Sequence, residues 1–389
     1  MPTRILKKLK EVINSKEFTP LHIPIFEGNE IEYVTDCIKS NFVSSVGEYV
    51  NKFEEAISKY TGAKYAILTS NGTSALHISL LLVGVKRDNE VLIPAMTFIA
   101  TANAVSYIGA IPHFVDVDEK TLGIDSEKLD EYLSQVCEMR DGECYNKNTN
   151  RKIKAIVPMH TFGHPVDMDK LIKVTKKYNI EIVEDAAESL GSFYKGKHTG
   201  NFGKVSAISF NGNKIITTGG GGCILTNDEK LAKKAKHITT TAKIPHPYEY
   251  EHDMIGYNYR MPALNAALGL AQIEKLPEFI EKKRKLAKIY QEVFKDIDDV
   301  EFFVEPEYAK SNYWLNAIIL KENNKEFRDK ILKETNENGV MTRPVWKLMH
   351  HLEMFKNCPK MDLSISENLE NRIINIPSSA YLGEKKWTH

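Results

Sequence analysis

The chain has 389 residues, 42% of them hydrophobic and 27% charged, and its 52 basic and 52 acidic side chains give a formal net charge of zero. This balance excludes the strongly basic surface typical of nucleic-acid-binding proteins, and the length predicts two domains. No apolar run reaches the roughly 18 residues of a membrane helix, and the amino terminus lacks the apolar stretch of a secretory signal.

The cysteine pattern favours a cytoplasmic protein without a bound metal. The five cysteines are widely spaced, and no pair has the spacing of metal ligands, so we expect reduced thiols. They are Cys37, Cys137, Cys144, Cys223 and Cys358.

Short apolar segments alternate with amphipathic ones from about residue 50 to residue 240. Because strands without polar alternation are covered on both faces, this pattern predicts an α/β fold with a mostly parallel sheet. In such a fold, ligands bind beyond the carboxyl ends of the strands. Helices are expected over residues 73–84 and 167–178. Strands are expected over residues 64–69, 91–94, 111–117, 154–159, 180–184, 205–210 and 223–226.

The pattern changes after about residue 245. A long helix is expected over residues 262–295, followed by a mixture of short strands and charged helices. We therefore predict a large domain over residues 1–245 and a smaller α+β domain over residues 246–389, on which the extreme amino terminus can also pack. The polar segment 139–151 has no periodicity and is expected to form a surface loop.

The first segment with chemical potential is S-N-G-T-S-A, residues 70–75, between a predicted strand and a predicted helix. Asn71 and Gly72 favour a turn, and Thr73 or Ser74 is expected to cap the helix. The amides of a first helical turn bind anions such as phosphate. On its own, however, this segment indicates no more than an ordinary capped helix.

The second segment is I-V-E-D-A-A-E-S-L-G, residues 182–191. Asp185 closes an apolar strand, and a buried carboxylate there needs strong hydrogen bonds or a cationic partner such as a protonated ring nitrogen. An equally weighted alternative is that Asp185 caps a helix and Glu188 completes a capping box.

The third segment surrounds Lys214, which lies between two predicted strands and shortly before four consecutive glycines. Most lysines are solvated charges, but a lysine sheltered from water can lose its proton and attack an aldehyde. A glycine run favours close passage of the backbone by a ligand or a positive φ. The three segments together predict a phosphate cradle, an acid for a ring nitrogen and a Schiff-base lysine, which are the groups that pyridoxal 5′-phosphate requires.

Eight motifs in order along the chain resemble one family. The sequence is similar to the DegT/DnrJ/EryC1/StrS group of sugar-nucleotide aminotransferases, which implies an aspartate-aminotransferase-like fold of type I, with a mostly parallel seven-stranded sheet and a smaller α+β carboxyl-terminal domain. The motifs are F-E-E-A-I-S-K-Y-T-G from Phe53, N-G-T-S-A-L from Asn71, I-P-A-M-T-F-I-A-T-A-N-A-V from Ile93, F-V-D-V-D from Phe114, H-T-F-G-H-P-V-D-M from His160, E-D-A-A-E-S-L-G from Glu184, S-F-N-G-N-K from Ser209, and G-Y-N-Y-R-M-P-A-L-N-A-A-L-G from Gly256.

The resemblance also implies roles for individual residues. Lys214 matches the lysine that forms the Schiff base, and Asp185 matches the partner of the pyridinium nitrogen. Phe98 matches a ring that stacks on the cofactor; without the resemblance, a core phenylalanine is the favoured interpretation. The phosphate-binding residues implied are Gly72, Thr73 and Ser74, with Ser209 adding a hydroxyl.

Two more positions follow from the same resemblance. Glu188 stands where relatives often carry glutamine, near the phenolic oxygen of the cofactor. Asn258 matches a residue that reaches the phosphate across a dimer interface, which implies a homodimer with shared active sites. His160, Arg260 and Arg343 are candidate substrate ligands, with packing for His160 and surface or interface ion pairs for the arginines as alternatives.

The reaction implied is transamination, because related 3-dehydrases carry histidine where Lys214 stands. We expect glutamate as the amino donor and a nucleotide-linked 4-keto-6-deoxy sugar as the acceptor. The favoured sugar is N-acetylated, of the bacillosamine or legionaminic type, and the alternative is the perosamine-type substrate GDP-4-keto-6-deoxymannose. A non-catalytic regulator with the same fold and a pyridoxal enzyme of amino-acid metabolism are alternatives from other classes.

Overall fold

The structure is a computed structural model in which residues 2–384 are described. The helices are α1 (Pro2–Ile13), α2 (Glu30–Lys39), α3 (Glu48–Thr61), α4 (Gly72–Leu82), α5 (Ile99–Tyr107), α6 (Ser126–Val136), α7 (Met168–Lys177), α8 (Glu229–Thr239), α9 (Ala263–Phe294), α10 (Lys325–Glu337) and α11 (Ser364–Glu370).

The strands are β1 (Tyr65–Thr69), β2 (Glu90–Pro94), β3 (Ile111–Val115), β4 (Cys137–Arg140), β5 (Glu143–Asn146), β6 (Arg151–Ile156), β7 (Glu181–Asp185), β8 (Phe193–Tyr194), β9 (Lys197–His198), β10 (Val205–Ser209), β11 (Gly222–Thr226), β12 (Lys243–Ile244), β13 (Glu251–His252), β14 (Val300–Phe302), β15 (Ala309–Lys310), β16 (Asn316–Leu320), β17 (Arg343–Pro344) and β18 (Ile373–Ile376).

The main sheet has the strand order β1-β11-β10-β7-β6-β2-β3. Neighbouring strands from β10 to β3 run parallel, whereas β11 is antiparallel to both β1 and β10. Its strands are almost entirely buried, as expected for a sheet covered by helices on both faces. The mostly parallel seven-stranded sheet predicted from the sequence is therefore confirmed.

The polar segment 139–151 is not a surface loop, so that prediction was wrong. Strands β4 and β5 form an antiparallel hairpin, and β5 pairs with β6 to extend the main sheet. The turn is Asp141-Gly142, and both residues have positive φ, at 50° and 78°. Asp-Gly is a strong sequence signal for a two-residue hairpin turn, and it lies near the start of the segment.

A second, antiparallel sheet forms in the carboxyl-terminal region, which we define as residues 246–384. Its strand order is β14-β16-β18-β17, and apolar side chains of α9 and α10 pack with it in one cluster. Helix α1 contributes Ile5, Leu9 and Ile13 to the same cluster, so the amino terminus packs on this region. The division of the chain at residue 245 stays a prediction. Within residues 2–384, no helix is long and apolar enough to cross a membrane.

Candidate active site

A cavity of about 360 Å³ lies at the carboxyl ends of β7 and β10, next to the amino ends of α4 and α5. In α/β sheets this is the edge at which ligands bind. The cavity brings together most of the residues that the sequence analysis selected for cofactor binding. Those that line it are Gly72, Thr73, Phe98, Asp185, Glu188, Ser209 and Lys214.

The turn between β1 and α4 offers backbone amides to this cavity. Asn71 caps α4, because its Oδ1 accepts a hydrogen bond of 2.8 Å from the Ser74 amide. The expectation that Thr73 or Ser74 is the cap was wrong, since both lie inside the helix. Gly72 and Thr73 begin α4, and an α-helix leaves the amides of its first residues without intrahelical partners. These two amides can therefore hold an anion.

Close packing around this turn explains part of the glycine run. A Cβ atom on Gly222 would lie 2.5 Å from the carbonyl carbon of Asn71 and 2.7 Å from the amide nitrogen of Gly72. A Cβ atom on Gly72 would lie 2.9 Å from Cβ of Ser209. Gly219, with φ of 77°, supplies the positive φ. The glycine run therefore lies close to the backbone of the turn between β1 and α4.

Asp185 ends β7 and is buried beside the cavity. Its Oδ2 accepts a hydrogen bond of 2.7 Å from the Thr101 hydroxyl, and its Oδ1 accepts one of 3.2 Å from the Ala187 amide. Burial raises the pKa of Asp185, while the Thr101 hydrogen bond and the charge of Lys214 oppose this rise. Turns rather than a helix follow Asp185, so the capping-box alternative is wrong.

Lys214 lies in the turn between β10 and β11, and its side chain is 12% exposed. Its Nζ lies 3.3 Å from Oε1 of Glu188. Glu188 also accepts a hydrogen bond of 2.9 Å from the Phe162 amide through Oε2. Burial raises the pKa of Glu188 to about 7, and the nearby charge of Lys214 opposes this rise. The carboxyl group can therefore change protonation near neutral pH, next to the lysine.

Aromatic rings also line the cavity. Phe98 is 49% exposed and lines the cavity, so it is not a core residue. Its ring meets the ring of Trp346 edge to face, with centroids 6.4 Å apart. Trp314 also lines the cavity. Neither tryptophan was predicted from the sequence, because both come from the carboxyl-terminal region and the residues around them carry no local signal of their position in the fold.

Comparison with known proteins identifies the family. The sequence profile of the DegT/DnrJ/EryC1/StrS aminotransferase family matches residues 24–389. The chain belongs to this family. As a member, it is a sugar aminotransferase that depends on pyridoxal phosphate, which confirms the enzyme class, the cofactor and the fold type predicted from the sequence.

Individual relatives of this DegT/DnrJ/EryC1/StrS aminotransferase agree with that assignment. It is 37% identical over 370 residues to the GDP-perosamine synthase of Escherichia coli O157:H7, covering 95% of this chain and 96% of the relative. It is 35% identical to the GDP-perosamine synthase of Caulobacter vibrioides, covering 93% of each chain. The solved structure of Helicobacter pylori PseC, an aminotransferase involved in pseudoaminic acid biosynthesis, superposes with a TM-score of 0.84 at 25% identity, covering 95% of this chain and 98% of that one.

The chemistry of the cavity fits pyridoxal phosphate in this aminotransferase. Asp185 has a hydroxyl and an amide as its hydrogen-bond donors, so a protonated ring nitrogen would supply the positive partner that a buried carboxylate needs. The amides of Gly72 and Thr73 suit the phosphate, and Ser209 lines the same part of the wall. The amine of Lys214 is within the same cavity as these groups.

Five of the predicted residues do not line this cavity: Ser74, Asn258, Arg260, Arg343 and His160. Ser74 is inside α4, with its hydroxyl 3.1 Å from that of Ser70. Asn258 is exposed, and Arg343 is exposed on β17. Arg260 lines a separate open cavity of about 560 Å³ together with Lys243 and His246.

His160 is buried, and both of its ring nitrogens are engaged. Its Nδ1 accepts a hydrogen bond of 3.2 Å from the Val166 amide, so Nε2 carries the proton and donates to Glu184 at 3.1 Å. Glu184 in turn accepts amide hydrogen bonds from residues 200, 202 and 203. These contacts fit the packing alternative for His160. His77 is likewise buried, against the rings of Tyr257 and Tyr259.

Proposed function

We propose that the protein transfers an amino group from glutamate to C4 of a nucleotide-linked 4-keto-6-deoxy sugar. The observation that carries this proposal is the grouping of Asp185, Glu188 and Lys214 around one cavity in a chain of this family. The amino donor and the acceptor sugar have to share the cavity in turn, since one set of groups serves both half-reactions.

The acceptor we propose is the perosamine-type substrate, GDP-4-keto-6-deoxymannose. The sequence analysis favoured an N-acetylated sugar, but GDP-perosamine synthases from two bacteria cover more than nine-tenths of this chain at 37% and 35% identity. PseC, which belongs to a pseudoaminic acid pathway, is 25% identical. The relatives therefore support the alternative better than the N-acetylated sugar.

The residues of this chain would act as follows. Pyridoxal phosphate supplies an electron sink that stabilises negative charge on the carbon from which a proton is removed. The carboxylate of Asp185 holds the positive charge of the ring nitrogen. The amine of Lys214 takes the α-proton from the donor and, in the second half-reaction, delivers a proton to C4 of the sugar. Phe98 would pack on the ring, while the amides of Gly72 and Thr73 and the hydroxyl of Ser209 would bind the phosphate.

Glu188 and the cavity lined by Arg260 are the two further features to which we assign a role. Glu188 lies beside Lys214 and, in its protonated form, can donate a hydrogen bond to the phenolic oxygen of the cofactor. Arg260 and Lys243 offer positive charge that suits the diphosphate of a sugar nucleotide, and His246 lines the same cavity. We assign no substrate contact to His160, whose ring nitrogens are occupied.

The substrate is tested with purified holoenzyme and a matched panel of 4-keto-6-deoxy sugars. We expect amination of the GDP-linked sugar with glutamate to exceed amination of the UDP-linked N-acetylated sugar in kcat/KM. The product is identified by mass and by the NMR signal of the new amine-bearing carbon. A preference for the N-acetylated sugar would overturn the perosamine-type assignment, and amination at a carbon other than C4 would overturn the position.

The homodimer is a separate part of the proposal. Asn258 is exposed and outside its own chain's cavity, and large side chains nearby, Tyr248, Tyr250 and Ile255, are about four-fifths exposed or more. These features support a segment that reaches the active site of a second copy. Mixing the inactive variants Lys214→Ala and Asn258→Ala should then restore activity, because hybrid dimers hold one intact site. No restoration after subunit exchange would contradict shared sites.

A further inference from the structure

Trp314 lies against the amine of Lys214, although the two residues are 100 positions apart in the sequence. The Nζ atom of Lys214 is 3.8 Å from the centroid of the Trp314 ring. An ammonium group this close to an indole face is attracted by the negative face of the ring. On another side, the same Nζ lies 3.3 Å from Oε1 of Glu188. The amine is therefore held between a carboxyl group and an aromatic face.

Hydrogen bonds fix the position of Trp314. Its ring Nε1 donates to the carbonyl of Asn213, the residue before Lys214, at 2.7 Å. Its amide donates to Oδ1 of Asn312 at 2.8 Å, and its carbonyl accepts from Nζ of Lys283 at 3.1 Å. Trp314 and Lys283 are both buried, so this arrangement has little freedom. One indole thus contacts both the lysine amine and the backbone that carries the lysine.

The two neighbours of the amine differ in what they do to a proton. A carboxylate can accept the proton from the ammonium group, whereas an indole face has no basic atom and attracts the charge without competing for the proton. An aromatic neighbour is therefore suited to a lysine that must gain and lose a proton in each cycle. The attraction acts on the charged amine and is weak for the neutral amine.

We propose that Trp314 is a positioning residue for the free amine of Lys214 during proton transfer. This inference rests on the part of the proposed function that makes Lys214 the proton carrier. When the α-carbon–hydrogen bond of the donor breaks, the proton adds to the lone pair of Nζ, and the electron pair of the broken bond stays with the donor and its cofactor. The positive charge that develops on Nζ then lies over the indole face. The contact becomes stronger as the proton is transferred, which is the condition for it to accelerate this step.

The test compares Trp314→Leu and Trp314→Phe with the wild-type holoenzyme. The rate at which the α-proton of glutamate exchanges with deuterated solvent is measured per bound cofactor, without any sugar. We expect Trp314→Leu to lower this rate by about tenfold, in line with the cost of misplacing a reacting group. Trp314→Phe keeps a ring face but loses the Nε1 hydrogen bond, and it should recover most of the rate.

Tyr145→Leu is the matched control, because the guanidinium of Arg140 lies 5.0 Å from the centroid of the Tyr145 ring, and neither residue lines the active-site cavity. This substitution also removes a contact between a cation and a ring, and it should leave the exchange rate within about twofold of wild type. Equal losses in Trp314→Phe and Trp314→Leu would assign the effect to the Nε1 hydrogen bond and overturn the role of the ring face. A wild-type exchange rate in Trp314→Leu would overturn the proposal entirely.

A second readout does not depend on turnover. After glutamate has donated its amino group to the cofactor, the amine of Lys214 is free. NMR of protein whose lysines carry ¹³C at Cε then reports the surroundings of this amine. The signal of Lys214 is assigned by its loss in Lys214→Arg. Stacking over the indole should shift the Cε protons upfield in wild type, less in Trp314→Phe and not in Trp314→Leu. An unshifted wild-type signal would contradict the proposal. Failure of every 4-keto sugar would reject the proposed acceptor and leave both readouts, which need no sugar, interpretable.

Discussion

The two walls of the active-site cavity come from different parts of the chain and differ in chemistry. The wall built by the main sheet carries Asp185, Glu188 and Lys214 at the ends of strands and in the turns that follow them. The opposite wall comes from the carboxyl-terminal region and presents the rings of Trp314 and Trp346. We expect charge and proton transfer to depend on the first wall, and the second wall to shape the space and hold groups in position.

The difference suggests a division in this fold between the groups that carry out the reaction and the rings that fit the substrate. Groups that must hold a charge need short, fixed hydrogen bonds, and the ends of buried strands provide them. Rings that exclude water and contact a substrate can come from another region, because they act through area and orientation. Substitutions in the first wall should therefore stop the reaction, and substitutions in the second should change affinity or the rate of single steps.

The largest effect is expected for Lys214→Ala. Without the amine, the cofactor has no lysine to bind and the α-proton has no carrier, so the rate should fall by about 10³-fold or more. The absorption spectrum of wild type should show a band of the lysine-bound cofactor that disappears when glutamate is added. The spectrum of Lys214→Ala should lack this band both before and after the addition. Lys233→Ala, at an exposed lysine paired with Glu229 on α8, is the control and should behave as wild type. If the band of the lysine-bound cofactor persists in Lys214→Ala, then Lys214 is not the lysine that binds the cofactor.

The next effect is expected for Asp185→Asn. The substitution keeps the shape and the contact with Thr101 but removes the negative charge that we assign to the ring nitrogen. Loss of one such electrostatic partner costs roughly 10²-fold in kcat. Thr101→Val, which removes only the hydroxyl donor, should cost less. If both variants lose the same activity, the hydrogen bond rather than the charge is what matters.

The third effect, a roughly tenfold change in cofactor affinity, is expected for Gly222→Ala. This substitution tests how the turn at Asn71 and Gly72 is held in place. The added Cβ atom would meet the backbone of Asn71 at 2.5 Å, so the turn has to move. We expect cofactor affinity to fall by about tenfold, measured by equilibrium titration, because an anion loses aligned amides. Gly220→Ala is the control, since a Cβ atom there meets nothing within 4 Å. Equal affinities in the two variants would mean that the turn tolerates the displacement.

A smaller effect is expected for Trp346→Leu in the second wall. Its ring lies 6.4 Å from that of Phe98 and 5.3 Å from that of Phe162, so removing it opens the cavity without touching the charged groups. KM for the sugar nucleotide should rise several-fold, about 1 kcal/mol of lost contact, with the glutamate half-reaction unchanged. An equal loss in the glutamate half-reaction would show that Trp346 does not act on sugar binding alone, which would contradict the separation of roles between the two walls.

The smallest effect concerns stability and Glu188. Burial raises the pKa of Glu188 to about 7, above the ordinary value of 4.5. The folded protein therefore binds this proton more tightly than the unfolded chain, and the contribution to stability is lost as pH rises through this window. Urea unfolding of cofactor-free protein should show wild type losing roughly 1–3 kcal/mol relative to Glu188→Gln between pH 4.5 and pH 7. Parallel pH profiles of the two proteins would contradict a raised pKa.

The sequence by itself predicted seven strands of the main sheet and selected the charged residues of the first wall. Runs of buried residues set the strands, and a parallel sheet brings their carboxyl ends to one edge, so Asp185 and the turn at Gly72 were expected near each other. Lys214 stood out by its position between two strands and before a glycine run. The family resemblance then indicated the cofactor, because eight motifs in this order are specific to one family.

Only the tertiary structure decided the second wall and several local details. Trp314 and Trp346 reach the cavity through the packing of the carboxyl-terminal region, and no pattern of nearby residues encodes such a distant contact. His160 follows an apolar strand and Asp185 ends one, but the ring of His160 turns inward because the buried carboxylate of Glu184 accepts a hydrogen bond from its Nε2. Strand periodicity tells which residues end at the sheet edge, while the direction of each side chain depends on partners that folding brings from elsewhere in the chain.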